Sequence, residues 1–381
     1  MIAFILSYPH PVPDAASPDA VAGYEALGTQ VVLLVLSALA ILLLLLIGWA
    51  VFLRLRRRRL ENRRSALTRR WSPVLDDVLA RRRFFTALDE TVSLSHTDAF
   101  LAFLHRRAME ASPAQLAWIR IVARPYLAFS NPPSATQTAE QRAYRIHQLG
   151  WLGSDDAEPV LRLALEDPSP FVAMVALRAL IRRHTARSAS LSTSEKEDFA
   201  HFVVSHLSRF GDWRQRSLAV LLAQVSAIAP PLRQLLTDRR AATWVRALAA
   251  STLKQMSDPK AAEPAVRILR RDHTLPLQTA ALRLLEAVGS RRHVPLLQAL
   301  CTADNEVIRI RALSALAHVG DASNVPLFEE ALGDPSRWVA RQAAFGLMRL
   351  GHPRALRALA DSDHPRAVLA YQVLTRHRLA A

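Results

Sequence analysis

The stretch DNEVIRIRALSALAHVGDASNVPLFEEALGD, residues 304–334, decides how the chain is read, because its features return at a fixed interval. Ala219, Ala250, Ala281, Ala312 and Ala343 stand 31 residues apart. The same interval separates Gly289, Gly320 and Gly351, then Pro264, Pro295 and Pro326, and the pair Trp213 and Trp244. A fixed period of this length marks stacked supersecondary units. Each unit reads as a helix A, a turn carrying Gly or Asp, a helix B opened by Pro, and an Asp turn into the next unit. The glycines fall where a left-handed cap would end helix A. Small alanines let the A helices of adjacent units approach closely, while Leu and Val fill the layer between A and B.

The unit resembles a HEAT repeat, in particular the short type of the phycobilin-lyase-like branch. The resemblance rests on Asp304, Arg309, Ala312, Leu316, Gly320 and Asp321 in one copy and on Asp334, Val339, Ala343, Leu347 and Gly351 in the next. It covers about residues 212–381 clearly, and 139–183 more loosely through QLGWLGSDDAEPVLRLALEDPSPFVAMVALRALIRR. It implies an all-α fold, an α-solenoid of HEAT-like helical hairpins over residues 139–381. It also implies that Arg309 and Asp304 tie neighbouring turns together, as Asp and Arg do in such units. Residues 184–198, HTARSASLSTSEKED, read as a Ser/Thr-rich insertion in which Ser194 and Glu197 have capping-box spacing. DHPRAVLAYQVLTRHRLAA at the end reads as a half-unit closing the array.

Residues 71–138 read as a helical N-terminal part of the same domain. Leu67, Trp71, Val74, Leu75, Val78 and Leu79 share one helical face. Ser112 and Pro113 open a later helix, SNPPSATQT at 130–138 breaks the pattern, and Thr138 with Gln141 opens the next.

The net charge of +16 is unevenly spread. Residues 1–30 carry Asp14, Asp19 and Glu25 with no Lys or Arg, whereas residues 54–83 carry twelve Arg against Glu61, Asp76 and Asp77. Between them, residues 31–53 hold no charge, and a helix of that length rises far enough to cross a hydrocarbon core of about 30 Å. The acidic flank lies before the apolar run and the basic flank after it, the reverse of a cleaved signal. This order predicts a single transmembrane helix ahead of the solenoid, with boundaries 1–29 for an extracytoplasmic tail, 30–53 for the span and 54–70 for a basic juxtamembrane segment. Trp49, Arg54, Arg56, Arg57, Arg58 and Arg59 would flank the membrane, the arginines meeting anionic lipid headgroups. The expected location is a bacterial inner membrane, single-pass, with the N-terminus outside and the repeats cytoplasmic.

Chemistry is sparse. No P-loop, dinucleotide-binding, nucleophile-elbow or zincin motif occurs. The HEAT-like deoxyhypusine hydroxylases hold iron through His-Glu dipeptides, and none is present among the thirteen histidines. His201 and His206 are five apart, on different faces of a helix. The single cysteine, Cys301, reads as a small buried hydrophobe. No catalytic residue, metal or cofactor is therefore assigned. A bilin-lyase-like or other HEAT-fold enzyme, and a nucleic-acid-binding solenoid using Trp213, Trp244 and Trp338, stand as the alternatives.

Solenoids of this kind offer a long face to another protein, and the HEAT resemblance implies that helix B lines it. Its non-core positions carry Arg233, then Arg267, Arg270 and Arg271, then Gln298, then Glu329 and Glu330, then Arg354 and Arg357. This mostly basic stripe suits an acidic partner segment. The expected function is a membrane-anchored adaptor that organises an inner-membrane machine. Its most specific form, by resemblance to single-pass proteins with HEAT-like arrays, is an exopolysaccharide glycosyltransferase complex; a transporter is the other candidate partner.

Overall fold

One helix, α1 (Pro18–Leu79), occupies the N-terminal region and runs without a break through residues 54–70. The computed structural model describes residues 18–128, 136–153, 155–211, 213–272, 274–363 and 365–380, excepting the side chains of 18–40, 57, 59–61, 63, 64, 94, 155 and 376–380. The early part of the expected outer tail and most of SNPPSATQT lie outside these residues.

Among the described residues no helix is long and apolar enough to cross a membrane. The described side chains of the charge-free run begin at Ile41 and end at Leu53, about 20 Å of helix rise against a core of about 30 Å. The side chains of 31–40 lie outside the described residues. The expected transmembrane helix, and the single-pass location at a bacterial inner membrane, are corrected accordingly. The membrane-flanking role of Trp49 and Arg54–Arg59 falls with them. Trp49, Arg54, Arg56 and Arg58 are exposed on α1, and the side chains of Arg57 and Arg59 are outside the described set.

The chain divides into two compact units, Met1–Phe103 and Leu104–Ala381. In the first, the last turns of α1 pack with α2 (Thr86–Thr91) and the start of α3 (Thr97–Glu110). The face expected from periodicity is the one buried: Trp71, Val74, Leu75 and Val78 are all sealed. Trp71 meets the Phe100 ring edge-on at 5.2 Å and Phe103 at 5.8 Å, favourable arrangements for aromatic quadrupoles.

The second unit is a stack of helical hairpins led by α4 (Pro113–Ala128). The A helices are α5 (Ala139–Leu152), α7 (Pro170–Arg187), α9 (Gln215–Leu222), α11 (Thr243–Gln255), α13 (Leu275–Val288), α15 (Glu306–Val319), α17 (Arg337–Arg349) and α19 (Ala367–Ala380). The B helices alternating with them are α6 (Glu158–Leu163), α8 (Thr193–Ser205), α10 (Ala229–Thr237), α12 (Ala262–Arg271), α14 (Val294–Leu300), α16 (Val325–Ala331) and α18 (Arg354–Ala360). Neighbouring A helices lie side by side, and each of α10, α12, α14, α16 and α18 packs on the A helix that follows it. The five periodic alanines are buried, and one continuous apolar core runs from Ala143 to Val373. This is the expected all-α solenoid-like architecture.

Four local expectations resolve as follows. Thr138 and Gln141 form the capping box that opens α5, and Ser112 with Gln115 forms one before α4. In HTARSASLSTSEKED the box is Ser192 with Glu195, two residues earlier than Ser194 with Glu197, and it starts α8 itself. Of the periodic glycines only Gly351 is left-handed, at φ +76°. Gly289 and Gly320 are extended; a Cβ on Gly320 would stand 2.7 Å from the Leu316 carbonyl oxygen, so lack of bulk rather than handedness is what these caps need. Finally, Arg309 takes only the backbone carbonyl of Asp304, at 2.8 Å. Its carboxylate partner is Asp334 in the next turn, reached by Nε at 2.9 Å and Nη2 at 3.1 Å.

That last pairing recurs. Arg142 grips Asp167 with two bonds of 2.8 Å, and Arg246 reaches Asp272 at 2.8 Å. Each aspartate also accepts from a backbone amide two residues on, at Ser169, Thr274 or Ser336. Each of these arginines also donates to a carbonyl upstream of its own helix, at Gln137, at Leu236 in the last turn of α10, or at Ala303. The turns of successive hairpins are thereby cross-tied.

Candidate functional surface

The arginine census separates structural cations from available ones. Arg142, Arg246 and Arg309 belong to the cross-ties. Arg233, expected on the binding stripe, is drawn in as well: its Nη1 lies 2.6 Å from Asp258 Oδ2, with both side chains largely covered. The pairing costs Arg233 the mobility and free charge a docking residue requires.

The remaining stripe residues are exposed. α12 is strongly amphipathic because its apolar face, Pro264, Ala265, Val266, Ile268 and Leu269, enters the core. The opposite face carries Glu263 in the first turn and then Arg267, Arg270 and Arg271, close together along barely more than one turn. Among the described residues none of the three has a carboxylate partner. Arg270 and Arg271 sit in the last turn, where the helix dipole favours cations. Glu329 and Glu330 are exposed on α16, and Arg354 and Arg357 on α18. Gln298 instead donates to buried Asn324 at 2.9 Å, so α14 contributes no free polar anchor at that position. The structure thus keeps α12 as the dense basic patch of the stripe and removes Arg233 from it.

Two further features were not singled out in the sequence. The first is a groove of about 360 Å³ between α17 and α19. Trp338 stands there 48% exposed, unlike Trp213 and Trp244, which lean on the core as expected. Arg337 lies over the Trp338 ring at 4.8 Å, and Arg341 lies 5.8 Å from it and 5.5 Å from Phe345. The available signal was register: Trp338 is one residue later than the position that Trp213 and Trp244 share, which turns it outward.

The second is a polar cluster inside the stack. His105 is 7% exposed, its ring 4.7 Å from that of His147, and Arg182 stacks on Trp151 at 3.8 Å. Burial, with His147 and Arg182 adding, pushes His105 down to about 4, so it is neutral at physiological pH. Burial, with Arg120 and Arg183 adding, pushes Arg182 down to about 10. Nothing in the sequence pairs these residues, because α3, α5 and α7 bring them together only in the fold. Among the described residues no group of three or more His, Cys, Asp or Glu side chains is placed to hold a metal ion.

Residues 293–374 match the family model for HEAT repeats. No curated protein matches the chain. Among solved structures, E. coli YibA is 19% identical, covering 60% of this chain and 81% of that one, at a TM-score of 0.38. The complex of CpcE and CpcF of phycocyanin lyase from Nostoc is 20% identical, covering 67% and 87%, at 0.30. Human deoxyhypusine hydroxylase in complex with glycerol is 17% identical, covering 67% and 91%, at 0.29. Likeness at this level lends nothing to an assignment of activity.

Proposed function

We propose that this chain is a HEAT-repeat scaffold that binds an acidic surface of a protein partner through the exposed side of its B helices, centred on α12. The observation that supports it is the contrast among arginines: those at Arg142, Arg233, Arg246 and Arg309 are consumed by aspartates of the same chain, while Arg267, Arg270 and Arg271 present three charges with no carboxylate partner among the described residues. Unneutralised like charges crowded on one helix cost free energy in the isolated chain, and an acidic partner relieves that cost. Arg354 and Arg357 extend the basic character to α18, and Glu329 with Glu330 on α16 supplies a point of opposite sign that would fix register. A glycosyltransferase or transporter as partner depended on the membrane span corrected above; the chemistry that remains is an acidic protein surface.

In-cell crosslinking of the full-length tagged chain, followed by purification and mass spectrometry, tests this. A specific partner should be recovered with the wild type and lost when Arg267, Arg270 and Arg271 are all changed to Glu. Recovery of the same partner by that variant, or of nothing above background by the wild type, would overturn the proposal.

A further inference from the structure

The groove between α17 and α19 is built differently from the α12 patch and lies on other helices. Its floor is apolar, from Phe345, Leu369 and Val373, and its rim carries Arg337, Arg341 and Gln372 around half-exposed Trp338. Next to it on α19, Val368 and Tyr371 are 67% and 65% exposed, so apolar surface continues past the groove. Among the described residues neither Arg337 nor Arg341 has a carboxylate partner; each is held only against an aromatic face. Cation–π contact leaves a guanidinium's in-plane N–H groups free to meet a carboxylate while the ring fixes its orientation.

We propose that this groove docks an acidic segment of a partner protein that carries an aromatic or branched aliphatic anchor. The anchor enters between Phe345, Leu369 and Val373, flanking carboxylates pair with Arg337 and Arg341, and the Gln372 amide is placed for the segment's backbone. Trp and Arg around a small apolar depression are the residue types that dominate interface energetics. Two guanidinium groups beside an apolar floor suit one anchored peptide turn better than a nucleic-acid backbone, which needs a longer basic track. The inference rests on the reading of the chain as a binding scaffold, but on a separate surface from α12.

The test is fluorescence anisotropy on the full chain with a labelled peptide of alternating Glu and Leu around one central Trp. A Glu/Ser peptide of equal charge and a deoxythymidine oligonucleotide serve as competitors. The Glu/Leu/Trp peptide should bind, and the Glu/Ser peptide should compete at least about tenfold more weakly. Trp338→Ala and Arg341→Glu should each weaken binding by about tenfold or more. Arg341→Gln, the gentler change, should fall between, and thermal melts should show all three folded. The triple α12 variant should bind the peptide like the wild type. Absence of binding, equal binding by the groove variants, or displacement of the peptide by the oligonucleotide would overturn the groove assignment. Loss of peptide binding in the α12 variant would also overturn it, while leaving the scaffold reading intact. Retained peptide binding with no loss of the cellular partner in the α12 variant would sink the stripe proposal alone.

Discussion

At the scale of single residues, two kinds of constraint act on this chain, and they predict opposite outcomes at glycines that look alike in the sequence. A Cβ on Gly346 would run into the ring of Phe328, which is fully buried. Gly346→Val should therefore destabilise the protein by about 1–3 kcal/mol, seen as a lowered unfolding midpoint in denaturant. Gly351 has a left-handed backbone and open space around it, so Gly351→Asn should stay within about 0.5 kcal/mol of wild type. Cys301 offers a chemical check on the core. Burial pushes its thiol up to about 12, leaving almost no thiolate near neutral pH. A thiol reagent at mildly alkaline pH should label the native chain very slowly, and one equivalent promptly once the chain is unfolded. Fast native labelling would contradict the packing of α14 against α15. That Cys301 is buried could be read from its apolar surroundings in the sequence; that Trp338 is not had only its one-residue offset from the Trp213 and Trp244 register as a signal.

Between elements, the recurring Arg–Asp cross-ties set how one hairpin follows the next. Arg246 is 7% exposed, and removing it leaves Asp272 partly buried beside an empty site. Arg246→Met should cost about 3 kcal/mol, measurable by equilibrium denaturation. Asp167 gives the pH dependence. The hydrogen bond from Arg142 is the main influence holding its carboxyl below the ordinary range, against the opposing effect of burial. A carboxylate whose folded pKa is depressed stabilises fully above its unfolded value, about 3.9, and that stabilisation is lost as pH falls through the lower folded value. Stability should thus be level through neutral pH and decline below about pH 4. Arg142→Met should flatten the Asp167 part of that decline, and an unchanged acid limb would count against the cross-tie. Of the tie arginines only Arg309 was picked out in the sequence, and its partner was misassigned. Proximity along the chain favoured Asp304 for Arg309, whereas a stack of hairpins brings the turn 25 residues later, at Asp334, alongside it.

For the whole second unit, stability and recognition use different sides of the same helices. The core is one continuous apolar layer, so exposed arginines on α12 can be changed without disturbing it. The Arg267→Glu, Arg270→Glu, Arg271→Glu triple variant should unfold within about 1.5 kcal/mol of wild type, since exposed substitutions each cost about 0.5 kcal/mol or less. A larger loss would mean the patch is structural, and would undercut its role in binding. What the sequence by itself determined is the repeating architecture. A 31-residue spacing of Ala, Gly and Pro dictates small residues at close helix contacts, helix ends and helix starts, and these are local requirements that any copy of the unit must meet. What only the tertiary structure decided is which cations remain available. Arg233 and Arg267 look equivalent along the chain, but Asp258 pairs with the first, and no carboxylate among the described residues pairs with the second. Ion pairing depends on distances of a few ångströms between residues far apart in sequence, and the packing of the hairpins alone sets those distances.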